Sequence, residues 1–268
     1  MNVTVSDSDQ SSACLDKPFG SGIYSEEKTD SDPIIRYGGN HAILTIAKVS
    51  DHTFEITLAP LETIHSSEPE LPESDVLIEY EREQLWKSRT IMDPVRGNVG
   101  DYILEVLRSP LRIILRNEDN SIIQQLKWPD SEDGRMEFPT NGDLYGFDLD
   151  GTQTGGQGVW YSVRDRVNSG GDFIPVGVNQ SPVIAGEDGW AILFYHPARD
   201  NKMDLKDDTG LFLPNSEALN SPLQLFLTLW DDPQQILSEY SLFAGESLLL
   251  PLQSSNVEQL FESTENSQ

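Results

Sequence analysis

Cysteine is nearly absent. Cys14 is the only one among 268 residues, which excludes an intrachain disulfide and a cysteine-built metal centre. The four histidines, His41, His52, His65 and His196, show no HxH, HxxxH or HExxH spacing, so no metal site is expected. Basic residues are also scarce. Lys and Arg number 18 against 45 Asp and Glu, a formal net charge of −27. Such a chain repels phosphates, so neither nucleic acid nor an anionic membrane surface is expected as a partner. No apolar run approaches the ~18 residues of a membrane span. The opening MNVTVSDSDQ lacks a basic region followed by an apolar core, so a cytoplasmic location is expected. Glycine fingerprints for dinucleotides and phosphate-binding loops are missing too, and no cofactor is implied.

Apolar residues form only 37% of the chain and gather in short runs. Residues 1–33 are rich in Ser, Asp, Glu and Lys without periodicity, the mark of a disordered lead. The pattern then changes. His41–Val49 is β-branched and apolar. In Thr53–Leu58, Phe54, Ile56 and Leu58 alternate with Thr53, Glu55 and Thr57, which predicts a half-buried strand paired with the first run in a hairpin about Asp51. Glu62–Asp75 reads as loop, and Val76–Tyr80 and Tyr102–Leu107 as strands. Leu111–Arg116 and Ile122–Leu126 flank the turn Glu118-Asp119-Asn120 as a second hairpin. Residues 129–158, rich in Gly, Asp, Pro and Thr, read as a long functional loop. Strand patterns follow at Trp160–Val163, Phe173–Val178, Pro182–Ala185, Trp190–Tyr195 and Leu223–Leu229.

One helix is predicted. Asp232 caps it, Pro233 takes the first-turn position and Gly245 ends it. Ile236, Leu237, Tyr240 and Phe243 form its buried stripe. Many short strands and one late helix predict an all-β sandwich over residues 34–230, a linker helix and junction over 231–252, and a polar tail over 253–268.

Two segments resemble a known family. FIPVGVNQSPVIAGEDGWAILFYHP (Phe173–Pro197) places Ile184, Gly186, Gly189, Trp190, Phe194, His196 and Pro197 as in a strand pair of the family 31 glycoside hydrolases. SPLQLFLTLWDDPQQILSEYSLFAGESLLLP (Ser221–Pro251) does the same with Pro222, Leu223, Leu225, Phe226, Asp232, Pro233, Ile236, Glu239, Tyr240, Gly245 and Pro251. The elements they resemble lie in the non-catalytic N-terminal domain of that family. The resemblance implies a galactose-mutarotase-like supersandwich, closed by one C-terminal linker helix, that stands in front of a (β/α)8 barrel. A glycosidase barrel and an α-linked oligosaccharide are the partners it implies.

The family's catalytic residues are not carried over. Its nucleophile is an Asp in a WxDMNE-type motif of the barrel, and the sequence has no such motif in the 17 residues after Pro251. Trp230-Asp231-Asp232 is superficially similar, but the capping role of Asp232 accounts for it. No catalytic residue is therefore assigned, although a retaining glycosidase needs two carboxyls ~5 Å apart. A mutarotase site would need a histidine pair, and no pair is suggested.

Substrate contact is another matter. In the family an Arg-Asp pair on a loop of this domain reaches over the barrel mouth to sugar hydroxyls, and Arg164-Asp165 stands at the matching place. A local ion pair in a turn is the alternative. Asp143–Gly151 occupies the place of a family turn, of which only Tyr145-Gly146 is kept. Trp128, Tyr145, Trp160 and Tyr161 lie in or beside the long loop, where rings stack on sugar faces or simply pack in the core. Substrate binding is thus expected at Arg164, Asp165, Trp160 and Tyr145. Other readings are a free-standing carbohydrate-binding module with Trp160 and Asp143–Gly158 as its platform, or a relic domain without ligand. A domain built to pack on a barrel should also expose an apolar patch, expected along Pro233–Ala244 and Leu248–Leu252.

Overall fold

The computed structural model describes residues 33–71, 77–148, 159–162, 174–176, 183–195, 201–206 and 208–244. Besides a short 3-10 turn at Ser216–Ala218, seventeen strands and one α-helix lie in these segments. In chain order they are β1 (Arg36–Tyr37), β2 (Asn40–Lys48), β3 (Thr53–Leu61), β4 (Glu83–Ser88), β5 (Val95–Val99), β6 (Tyr102–Leu107), β7 (Leu111–Asn117), β8 (Ile122–Trp128), β9 (Met136–Pro139), β10 (Leu144–Asp148), β11 (Val159–Ser162), β12 (Ile174–Val176), β13 (Val183–Gly186), β14 (Trp190–Tyr195), β15 (Asn201–Lys206), β16 (Thr209–Leu213), β17 (Leu223–Leu229) and α1 (Pro233–Ser241). They build the all-β sandwich that the sequence predicts. One sheet runs β1-β2-β3-β17-β14-β13-β10-β11, with β4 also paired to β2. The other runs β12-β15-β16-β9-β8-β7-β6-β5. All the pairings between these strands are antiparallel.

The core between the sheets follows from alternation. Trp190, Ile192 and Phe194 of β14 and Leu223, Leu225, Leu227 and Leu229 of β17 meet Leu111, Ile113 and Leu115 of β7, Met136 and Phe138 of β9, and Phe212 of β16 in one buried cluster. Aromatic pairs hold the sheets across the gap. Phe194 stacks on Phe212 at 4.7 Å, and Phe138 meets Trp190 edge-on at 5.8 Å. Burying each such ring is worth roughly 1.5–3 kcal/mol.

The resemblance residues on β13 and β14 serve this core. A Cβ on Gly186 would lie 2.5 Å from the Trp190 ring, so only glycine admits the indole. Gly189 turns the hairpin with φ +91°, a conformation that favours glycine.

The central strands of the first sheet, β3, β17, β14 and β13, are buried on both faces, which corrects the half-buried reading of Thr53–Leu58. All nine residues of β3 are buried. Its outer face lies under α1 and the segment Leu77–Tyr80, whose apolar side chains form a second cluster with Phe226, Ile236, Tyr240 and Phe243. Phe243 stacks on Phe226 at 4.1 Å, and Tyr80 packs edge-on against both. Several polar side chains beneath this cover are hydrogen-bonded to one another. Glu239 of α1 accepts hydrogen bonds from Ser50 Oγ and from Thr53 Oγ1 (2.7 Å), and Thr53 also bonds Thr228 at 3.0 Å. Glu55, 1% exposed, pairs with Arg82 and accepts from Gln224 Nε2 at 2.8 Å.

Several boundaries differ from the sequence reading. The stretch 129–158 is not one loop, because β9 and β10 lie in it. In the stretch Val76–Tyr80, read as a strand, the described residues 77–80 form none. Among its described residues only Leu77 makes a bridge, to Ala244, and the segment is held by Phe243 rather than by a sheet. Strands β4, β5 and β15 carry too few apolar residues to declare themselves, and β16 is only five residues long and opens on Thr-Gly.

The helix starts as predicted. Asp232 precedes it, and the Gln235 side chain returns to accept the Asp231 N–H at 3.2 Å. The apolar patch expected along Pro233–Ala244 is instead folded inward. Ile236, Tyr240, Phe243 and Ala244 are buried and Leu242 is 45% exposed. Leu248–Leu252 and Gly245 lie outside the described residues.

Candidate functional site

A cleft opens where β1 turns into β2. Tyr37 ends the first strand, Gly38-Gly39 make the turn, and the opposite wall is the connection from Trp128 at the end of β8 to Arg135 before β9. Arg108 and Ser109, from the β6–β7 turn, close one end. The cleft measures about 430 Å³. Tyr37 and Trp128 are 2% and 3% exposed. The Tyr37 hydroxyl and the Trp128 indole N–H find no hydrogen-bond partner among the described residues. Burial pushes the Tyr37 hydroxyl well above the usual tyrosine range. Arg36, Arg108, Arg135, Asp130 and Glu132 add charge of both signs to the lining. Arg135 is steered by Asp133, 3.0 Å away, and Ser131 Oγ donates to the same carboxylate at 2.6 Å.

The sequence-predicted sugar residues lie elsewhere. Trp160 is on β11, where its backbone pairs with Phe147, and Ser162 pairs with Tyr145. That strand ends the first sheet, seven strand spacings from β1, or about 34 Å along the sheet. Tyr145 and Gly146 stand not in a turn but in β10, bonded to β13 on one side and β11 on the other. Tyr145 is 2% exposed and belongs to the second cluster. Its burial fits the core-packing alternative. Trp128 is core as well, at the cleft wall. Arg164 and Asp165 lie outside the described residues, as does His196. His52 Nδ1 sits 3.2 Å from the Tyr102 hydroxyl, an edge contact beside the β2–β3 turn. Among the described residues no three His, Cys, Asp or Glu side chains gather as a metal-binding group, and no helix is long and apolar enough to cross a membrane.

The cleft itself was missed from sequence. Its lining comes from four separate places, around residues 33–39, 91, 108–111 and 128–135, and no local pattern links them. The one available signal was the aromatic Trp128 at the entrance to a Gly- and Asp-rich connection.

No protein-family model and no curated protein matches the sequence. Solved structures do match the fold. A family 31 glycoside hydrolase from Flavobacterium johnsoniae, a dextranase complexed with isomaltotriose, is similar over 77% of this chain with a TM-score of 0.52 and 12% identity. The cycloalternan-forming enzyme from Listeria monocytogenes, in complex with a pentasaccharide substrate, matches over 74% with a TM-score of 0.45 and 14% identity. The chain spans 26% of the dextranase and 19% of the cycloalternan-forming enzyme. The sandwich fold is thus one found within a family 31 enzyme, as part of a much larger chain.

Proposed function

We propose that the chain acts as the non-catalytic β-sandwich domain of a family 31 α-glycosidase, in carbohydrate metabolism. Its role is to buttress a (β/α)8 barrel and to shape the mouth through which an α-linked oligosaccharide enters. The fold likeness to a domain-sized quarter of the dextranase is the observation that carries this reading. The motif residues support it from the other side. Gly186, Gly189 and Trp190 build the core, and Asp232, Glu239 and Tyr240 build the seat of α1, so the resemblance rests on scaffold positions that a barrel-bearing domain needs. Sugar contact is assigned to Trp160, on the terminal strand β11, and to Arg164-Asp165 just after it. A carboxylate accepts two sugar hydroxyls, and a neighbouring guanidinium orients it through paired hydrogen bonds. Tyr145 contributes by anchoring β10, the strand to which β11 pairs.

A second reading, a free-standing carbohydrate-binding module, draws on one observation. The apolar stripe of α1 is covered by its own sheet, so the described fold needs no second domain to bury it. An assay with aryl α-glucosides and α-xylosides separates both readings from an enzyme. No turnover is expected from the pure chain. Turnover that disappears on substitution of one carboxylate pair would refute the proposal.

A further inference from the structure

We infer that the outer face of the second sheet is a docking surface for the acidic lead of this chain, through Glu26, Glu27, Asp30 and Asp32. The inference does not rest on the proposed role, because neither a barrel nor a sugar enters it. Charge complementarity carries it first. Basic residues are scarce in the chain, yet four of them share one patch of this face. Val95 and Val99 of β5, Leu111 and Ile113 of β7, and Leu126 and Trp128 of β8 pack on the core. By alternation Arg96, Arg112 and Lys127 point outward. Arg116 joins them through its pair with Glu105 at 3.2 Å, since Glu105 stands between the core residues Leu104 and Val106. Lys127 pairs with Glu137 at 2.7 Å. Those two carboxylates are thereby engaged, and no carboxylate among the described residues pairs with Arg96 or Arg112. Arg96 donates to the neutral Asn120 side chain instead. Arg112 stands directly across the ladder from Lys127. Like charges so placed destabilise a sheet, and an added carboxylate beside them relieves the repulsion.

The path of the chain carries it second. The lead joins the fold at Pro33, whose carbonyl accepts from the Ile91 N–H at 2.8 Å. Pro33 and Ile34 line the same cleft as Ser109 and Leu111, and Arg112 is the next residue of β7. The lead therefore meets the fold at the end of the second sheet where Arg112 stands. Arg96 is in register with Glu105, and Glu105 with Ile114, so Arg96 lies two strands over and two residues along, about 12 Å from Arg112. An extended chain covers about 13 Å from Asp30 to Glu26 and about 10 Å from Pro33 to Asp30. Asp30 and Asp32 thus reach Arg112 while Glu26 and Glu27 reach Arg96. Exposed ion pairs are individually weak, but a short tether gives the lead a millimolar effective concentration. The second sheet also ends at β5. A lead seated at Arg96 covers that open edge, which otherwise invites pairing with another chain.

The test uses the full chain labelled with ¹⁵N. Because Cys14 is the only cysteine, Ser25→Cys in a Cys14→Ser background places a single thiol beside Glu26, and a nitroxide is attached to it. At low salt the nitroxide should broaden the amide signals of β5, β6 and β7 more than those of the first sheet. That selective broadening should fall about tenfold in Arg96→Gln/Arg112→Gln, and likewise at about 1 M salt, where charges are screened within about 3 Å. A second variant leaves the folded face untouched. Glu26→Gln/Glu27→Gln/Asp30→Asn/Asp32→Asn should lose the broadening to the same extent, with all other amide signals in place. Broadening that is equal in both variants and the parent chain, or that is confined to the first sheet, would overturn the inference. So would broadening of ¹⁵N chains without nitroxide by added nitroxide-bearing chains as strong as that within one chain, since the lead then docks between copies. Each of these failures leaves the proposed role standing, because that role is read from sugar binding.

Discussion

Two side chains show how single residues decide this fold. Glu239 is buried on α1 and gathers the hydroxyls of Ser50 and Thr53, so it fastens the helix to the β2–β3 turn. Replacing it with Ala strands buried hydroxyls, and a loss of about 2–3 kcal/mol is expected in urea unfolding. Glu239→Gln should lose less, since the amide oxygen still accepts. Gly186 is the other case. Its place against Trp190 leaves no room for a methyl, so Gly186→Ala should cost about 1–3 kcal/mol through displacement of the indole. An unchanged denaturation midpoint would show that Trp190 moves freely. Tyrosines set the alkaline limit. Burial raises the hydroxyls of Tyr37, Tyr80 and Tyr240, which keeps them protonated in the fold while the unfolded chain loses those protons near pH 10. Stability is therefore complete below that pH and falls as pH rises above it. Thermal melts between neutral and alkaline pH should show a decline that begins near pH 10 and is reduced in Tyr240→Phe.

At the scale of elements, α1 and the segment Leu77–Tyr80 form the cover of the first sheet. Phe243 is the centre of that cover, stacked on Phe226 and flanked by Tyr80 and Tyr240. Phe243→Ala should cost about 3–5 kcal/mol and speed hydrogen exchange in α1 ahead of the sandwich. Uniform exchange throughout would mean that the helix is no separate unit. These elements also mark what the sequence could disclose. The hairpins β2–β3 and β7–β8, the strands β14 and β17 and the helix were legible because apolar residues recur at period two or on one helical stripe. Strands β9 and β10 were not, because Met136–Pro139 is only four residues long and Leu144–Asp148 holds a glycine among turn-forming neighbours. The buried polar face of β3 was misread for a different reason. Thr53, Glu55 and Thr57 look solvated by composition, and the partners of Thr53 and Glu55, namely Glu239, Thr228, Arg82 and Gln224, are distant in sequence. Likewise Tyr145 read as a ring for sugar stacking, and its burial depends on a sheet order that local pattern does not encode.

On the scale of the whole molecule, the strongly acidic chain folds as two sheets with their aromatic core between them, and one sheet carries a helix on its back. The proposed division of labour assigns scaffold to the core and helix, and sugar contact to the end of the first sheet at Trp160, Arg164 and Asp165. Calorimetric titration of the pure chain with isomaltotriose reads both halves of that proposal at once. The account predicts a saturable binding heat, weakened about tenfold in Asp165→Asn, with no sustained heat of turnover. A sustained heat that vanishes on substitution of a carboxylate pair, or binding indifferent to Asp165, would contradict it.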